Sequence, residues 1–161
     1  MAQKGFLLVT MQPPPALEDE FNAWYDSEHI PERLGVPGFV TALRFVCIDG
    51  HPRYLAMYDL ESHNVLSSSE YLKVAYDHSS PWTKRVTSRV KVWRSSGHQV
   101  LAASGATKRC ARLLLLRFRG LKTDDEREFV ATTCQAFEGR PEVSQLRVLA
   151  HVAGKEAIDY M

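Results

Sequence analysis

The sequence predicts an α+β chain laid out in the order βαββαβ, and three observations carry that expectation. Short apolar or alternating runs at residues 5–11, 39–48, 54–60 and 89–94 read as strands. Two longer stretches, 16–34 and 65–86, place their apolar residues at helical spacing instead. Beyond about residue 95 the same order starts again and stops before it is complete.

The first strand, GFLLVTM, is apolar throughout, as a strand buried on both faces would be, and Pro13-Pro14-Pro15 ends it. The helix that follows carries Glu18, Asp19 and Glu20 early, where carboxylates suit the helix dipole. Pro31 marks its last turn or a kink, and Val36-Pro37-Gly38 stops it. Asp49-Gly50 supplies the turn of a hairpin between the second and third strands. Ser79-Ser80-Pro81 interrupts the second helix, and RVKVWR (89–94) alternates as a fourth strand. A split βαβ unit of this kind forms an antiparallel ferredoxin-like plait with both helices on one face. Its other face would be bare, so pairing with a second copy or with the rest of the chain is expected.

These patterns divide the chain into a plait domain at 1–95, a linker at 96–110 and an incomplete second repeat at 111–161. In that repeat, Arg112 to Phe118 matches the first strand and Thr123 to Glu126 opens a helix as a capping sequence. Gln145 to Val152 echoes the second strand and Glu156 to Met161 the third. A βαββ piece alone leaves apolar surface uncovered. Either the protein continues past residue 161, or a partner chain supplies the missing elements.

Composition excludes several classes. A formal charge of +1 with 24% charged residues argues against a general nucleic-acid binder. The three cysteines, Cys47, Cys110 and Cys134, form no CxxC and suggest a reducing, cytoplasmic setting. No apolar run reaches the roughly 18–20 residues of a membrane span. No GxGxxG, phosphate loop or nucleophile elbow is present, and the histidines lack metal-ligand spacing, so neither a cofactor nor a metal is expected.

The richest stretch is EFNAWYDSEHIP, residues 20–31. On a helix, Tyr25 lies four residues before His29 and shares its side, with Asp26 three residues before it. An imidazole among a phenol and carboxylates is suited to acid–base work near neutral pH. A surface histidine at a helix C-terminus is the competing reading, and spacing alone leaves both open. Tyr25 is either a hydrogen-bond donor to a substrate carbonyl or half-buried packing. Asp26 or Glu28 either orients His29 or is solvated. Phe21 on the helix and Arg44 and Tyr58 on the second and third strands are the expected lining of a pocket beneath it, and Trp24 either joins that lining or belongs to the core. Tyr71, Tyr76, His78 and Trp82 form a second aromatic cluster around the end of the second helix. Either Tyr76 or His78 completes this pocket opposite His29, or the cluster is plain helix–sheet packing with His78 exposed.

The sequence EFNAWYD…EHIP followed by Val36-Pro37-Gly38-Phe39 resembles the dimeric α/β-barrel superfamily in its EthD-like branch. The resemblance covers residues 5 to 95, with a fainter copy at 111–161 that has no WYDxxH. It implies a barrel made from two plaits and a pocket for a small aromatic or ketonic molecule. It also implies a histidine acting as acid or base, a role that falls on His29 with Tyr25 beside it. Activities in that superfamily include cofactor-free monooxygenases, cyclases, isomerases and dehydratases, the last being lyases. A protein that only binds its ligand, or a stress-responsive one, is the alternative.

Overall fold

The computed structural model describes residues 3–100, 107–121 and 125–152. Five antiparallel strands form one sheet: β1 (Gly5–Gln12), β2 (Phe39–Val46), β3 (Tyr54–Leu60), β4 (Lys91–Gln99) and β5 (Leu149–His151). Their order is β2-β3-β1-β4-β5, and the first four strands therefore stand in the order of the split βαβ plait. β1 is central, with Leu8 opposite Met57 on β3 and opposite Ser95 on β4. This explains its unbroken apolar sequence. Leu7, Val9 and Met11 join the main core under the helices, while Phe6 and Leu8 pack with Met57 on the other face.

The first helical stretch is continuous but not uniform. It comprises α1 (Glu18–Trp24), a π turn (Tyr25–His29) and α2 (Ile30–Leu34). Pro31 supplies the physical cause, because it has no N–H and its ring crowds the carbonyl four residues back. The helix widens just before it, and the Ile30 N–H donates to Tyr25 O, five residues back.

The expected single helix at 65–86 is instead four short pieces. They are a 3-10 turn (His63–Ser67), α3 (Ser69–Leu72), a second 3-10 turn (Tyr76–His78) and α4 (Pro81–Thr87). Serines break the run by capping new starts. Ser68 Oγ accepts from Tyr71 N, and Ser80 Oγ accepts from Thr83 N with Pro81 in the first turn. The hairpin loop is also longer than the Asp49-Gly50 turn predicts, closing where Cys47 N donates to Arg53 O, 2.7 Å.

β4 runs five residues past the predicted Arg94, into the expected linker. In the second unit, α5 (Glu126–Phe137) forms as expected. Residues 112–118, expected as a strand, have no regular structure, and Leu114, Leu116 and Phe118 are exposed there. An apolar run makes a strand only when a neighbour completes its hydrogen bonds, and none of the described residues does so here. The expected second strand of that unit is shortened to β5, which pairs with the end of β4. The third, at 156–161, lies outside the described residues.

The C-terminal segment covers part of the sheet face expected to be bare. Arg147 forms a buried ion pair with Asp59, whose other oxygen accepts from Thr41 Oγ1 and from Thr107 N. Arg147 also donates to Gln99 Oε1, 2.8 Å. The β4–β5 pairing depends on Gly97, where an added Cβ would stand 2.0 Å from Ala150 O. Gly97→Val is expected to detach β5. Amide exchange would then accelerate at Val100 and Val152, whose N–H groups donate to Val148 O and Ser96 O; unchanged protection would mean that the strand tolerates the side chain.

Candidate functional site

The helix stretch expected to carry the chemistry packs its aromatic side chains against β2, β3 and α4. Phe21, Trp24, Tyr25 and Tyr58 are almost fully buried. The π turn sets the local geometry. It brings Trp24 and His29, five residues apart, to a ring-centroid distance of 4.4 Å, with Tyr25 edge-on to His29 at 5.1 Å. A regular helix would stack residues three or four apart instead.

His29 is half-buried overall, but its Nδ1 is sealed from solvent and has no hydrogen-bond partner among the described residues. Burial, followed by the positive charges of Arg33, Arg94 and Arg44, holds its pKa well below the ordinary 6.5. The ring is therefore neutral at physiological pH, with one nitrogen able to accept a proton. Tyr58 donates its hydroxyl to that of Tyr25 across 3.4 Å. Burial raises both phenols, Tyr58 to about 12, and the neighbouring Tyr58 adds to the rise at Tyr25. Both remain hydrogen-bond donors throughout the working range.

The two carboxylates expected to orient His29 are engaged elsewhere. Asp26 is exposed and pairs with Arg44 Nη1 at 2.7 Å. Glu28 accepts from Ser80 Oγ and Thr83 Oγ1, and Thr83 Oγ1 in turn accepts from Trp24 Nε1 at 3.0 Å. Glu28 thus fastens the π turn to the start of α4. Nothing in its sequence context distinguishes it, although Ser80-Pro81 is a readable helix start that fixes its partner.

Arg44 lies in the expected cluster, its guanidinium 4.4 Å from the Tyr25 ring and donating to Asn22 Oδ1 at 2.6 Å. The far aromatic cluster does not close over His29. Tyr76 and His78 are exposed, Tyr76 lies edge-on to Tyr71, and Trp82 Nε1 donates to Glu20 Oε1. Two residues left out of the expected site belong to it. Arg33 is buried, donating to Val74 O at 2.8 Å and lying 5.3 Å from the Tyr71 ring. Arg94 donates to Tyr71 Oη at 2.7 Å. Only the helical phase set by the π turn turns Arg33 inward, and a regular-helix reading has no signal for it.

An open cleft of about 140 Å3 lies not at His29 but between the His63–Ser67 turn and the β4–β5 edge. Among the described residues, no group of three or more His, Cys, Asp or Glu side chains is placed to hold a metal, and no helix is long and apolar enough to cross a membrane.

No protein-family model matches the sequence, and no curated protein matches it. The solved structures to which the chain is similar include HapK from Hahella chejuensis, at 12% identity and a TM-score of 0.48, covering 65% of this chain and 99% of that one. Another is a mutant form of SnoaB from Streptomyces nogalater, a cofactor-independent oxygenase, at 16% identity and 0.42, covering 66% and 97%. A third is an EthD family protein from Bacillus halodurans C-125, at 14% identity and 0.38, covering 57% and 95%. At these values the likeness says nothing about what this chain binds or catalyses, and the plait rests on its own strand order.

Proposed function

We propose that the protein is a small-molecule enzyme that moves a proton at an activated carbon, with His29 as the base. The observation that carries this reading is the buried, neutral imidazole of His29 with its unpartnered Nδ1, edge-on to the ring of Tyr25, whose hydroxyl accepts from Tyr58. In the reaction, His29 takes the proton from carbon α to a carbonyl. The Tyr25–Tyr58 pair donates a hydrogen bond to the oxygen on which negative charge develops. The substrate class is an aromatic or ketonic molecule. The carbanion then collapses by reprotonation in an isomerase, by loss of a leaving group in a lyase, or by reaction with dioxygen in a cofactor-free monooxygenase.

The test is solvent-deuterium incorporation at the benzylic α-carbon of 2-tetralone, followed by proton NMR in deuterium oxide. The protein is expected to accelerate exchange above the buffer rate, and His29→Gln to remove that acceleration. Exchange by the variant at the full rate would end the assignment to His29. The tight packing of Tyr25, which is 1% exposed, favours a second reading. In it the helix cluster is structural and the protein binds a small ligand without turning it over. Saturable binding of 2-tetralone with no exchange above buffer would select that reading.

A further inference from the structure

The acid–base centre at His29 leaves one buried donor beside it unspent. We propose that Arg33 is a catalytic residue of that centre, donating from Nη1 to the substrate oxygen that Tyr25 also contacts. This inference rests on the reading of His29 as the base and adds the second donor that a developing oxyanion takes.

Arg33 is 5% exposed, and its Nη1 has no hydrogen-bond partner among the described residues. A buried N–H left without an acceptor costs free energy, which a bound oxygen would recover. The other end of the guanidinium is occupied. Nη2 donates to Val74 O at 2.8 Å and stands 3.3 Å from Glu32 Oε2. Glu32 therefore balances the charge, and what Arg33 offers a substrate is a fixed N–H, not a free cation. The group is also held 5.3 Å from the centroid of the Tyr71 ring. A donor fixed before the substrate arrives needs no reorganisation during the reaction.

A closed circuit of contacts places that N–H with the base. The rings of His29 and Tyr25 meet at 5.1 Å, and the Tyr25 hydroxyl accepts from Tyr58. Tyr58 meets Phe39 edge-on at 5.7 Å, and Phe39 stacks on Tyr71 at 5.9 Å. Tyr71 backs Arg33, which lies four residues after His29 and on its side of the helix. Within this circuit the unpartnered buried atoms are His29 Nδ1 and Arg33 Nη1. Burial is the largest influence on the pKa of His29, Tyr25 and Tyr58, and the Arg33 charge also acts on each of them. Arg44 is no substitute, because its Nη1 is engaged by Asp26 and its Nη2 by Asn22.

Counting hydrogens assigns the roles. Each phenol carries one, and Tyr58 spends its own on Tyr25. The hydrogen of Tyr25 is left for the substrate oxygen, and Arg33 Nη1 supplies the other bond. In the step, the proton goes from the α-carbon to His29 Nδ1. The C–H electron pair becomes the carbon–carbon π bond of an enolate, and the carbonyl π pair moves onto oxygen. Arg33 disfavours the imidazolium but favours the oxyanion it touches. Its help grows with that charge, so it acts on kcat more than on KM.

The experiment compares Arg33→Gln and Arg33→Lys with the wild type in the full chain, each checked for folding by urea denaturation. Arg33→Gln is expected to lower kcat for 2-tetralone exchange by about 10²- to 10³-fold, the usual loss for one oxyanion donor, with KM little changed. Arg33→Lys, which keeps a cation but not the planar fork, should fall between the two. A second readout needs no turnover and would not move if Arg33 were only structural. 2-Naphthol, a planar analogue of the enol of 2-tetralone, is bound and its anion followed by absorbance. In the wild type the bound probe should ionise about one pH unit or more below the free compound, and in Arg33→Gln close to it. Exchange by folded Arg33→Gln at the wild-type rate, with His29→Gln inactive, would overturn this role alone. Equal ionisation of the bound probe in Arg33→Gln and wild type would do the same. If Arg33→Gln does not fold, wild-type exchange and probe ionisation in Arg33→Lys overturn it instead. A wild type that gives no exchange ends the reading of His29 and this one together.

Discussion

His29→Gln is expected to lower α-proton exchange by about 10²- to 10⁴-fold, the range a positioned general base contributes. The same substitution should flatten the pH dependence of stability, which a catalytic readout alone would not reveal. Burial depresses the folded-state pKa of His29 below the ordinary 6.5. Protonation then favours the unfolded chain, so stability is whole above pH 6.5 and falls as the pH drops from there toward the lowered value. One proton sets a ceiling of about 1.4 kcal/mol per pH unit on that slope. Glutamine does not titrate. Urea denaturation at pH 7.5, 6.0 and 5.0 should therefore show a slope in the wild type that is reduced in the variant. Identical slopes would mean that His29 is not the group taking up the proton.

Asp59→Ala is expected to destabilise the fold by about 3–5 kcal/mol, because it leaves Arg147 buried without its counter-charge. The two side chains are 5% and 8% exposed, so water cannot replace the lost partner. The variant also strands Thr41 Oγ1 and the Thr107 amide, both of which donate to Asp59. Replacing the pair together, as Asp59→Leu with Arg147→Met, should recover much of the loss, since apolar packing substitutes well for a buried pair. Urea denaturation at pH 7 measures both effects. A single variant within about 0.5 kcal/mol of wild type, the usual range for surface substitutions, would show that the C-terminal segment is not held there. The pair has its own acid limit. Burial pushes the Asp59 carboxyl up, but Thr41, Thr107 and Arg147 together outweigh that and hold it below the ordinary 3.8. Its contribution is present above that value and is lost as the pH falls further, whereas the loss at His29 begins already at 6.5.

Most of the first unit is legible in the sequence because its signals are local. GFLLVTM reads as a doubly buried strand, and β3 begins and ends at the predicted Tyr54 and Leu60. The second helix misleads because its apolar spacing outweighs two serines, Ser68 and Ser80, that cap new starts. Residues 112–118 mislead for a different reason, since strand propensity there has no neighbouring backbone to satisfy it. At the candidate site the identities of Trp24, Tyr25 and His29 stand out in the sequence, and their mutual distances do not. Those distances depend on Pro31, whose effect on the preceding turn is a backbone matter that periodicity does not register. The carboxylates mislead on the same ground. Once the turn widens, Asp26 faces Arg44 and Glu28 faces α4.

The π turn also has a meaning in counting terms. A regular helix advances about 100° per residue, so a turn closed over five residues absorbs one residue of surplus length. α1 and α2 keep the phase they would have if one residue between Tyr25 and His29 were missing. A shortening by one residue there would leave Phe21 and Arg33 facing the core and would set Trp24 and His29 four apart on a regular helix, still on one side. The surplus residue therefore costs the scaffold nothing in phase.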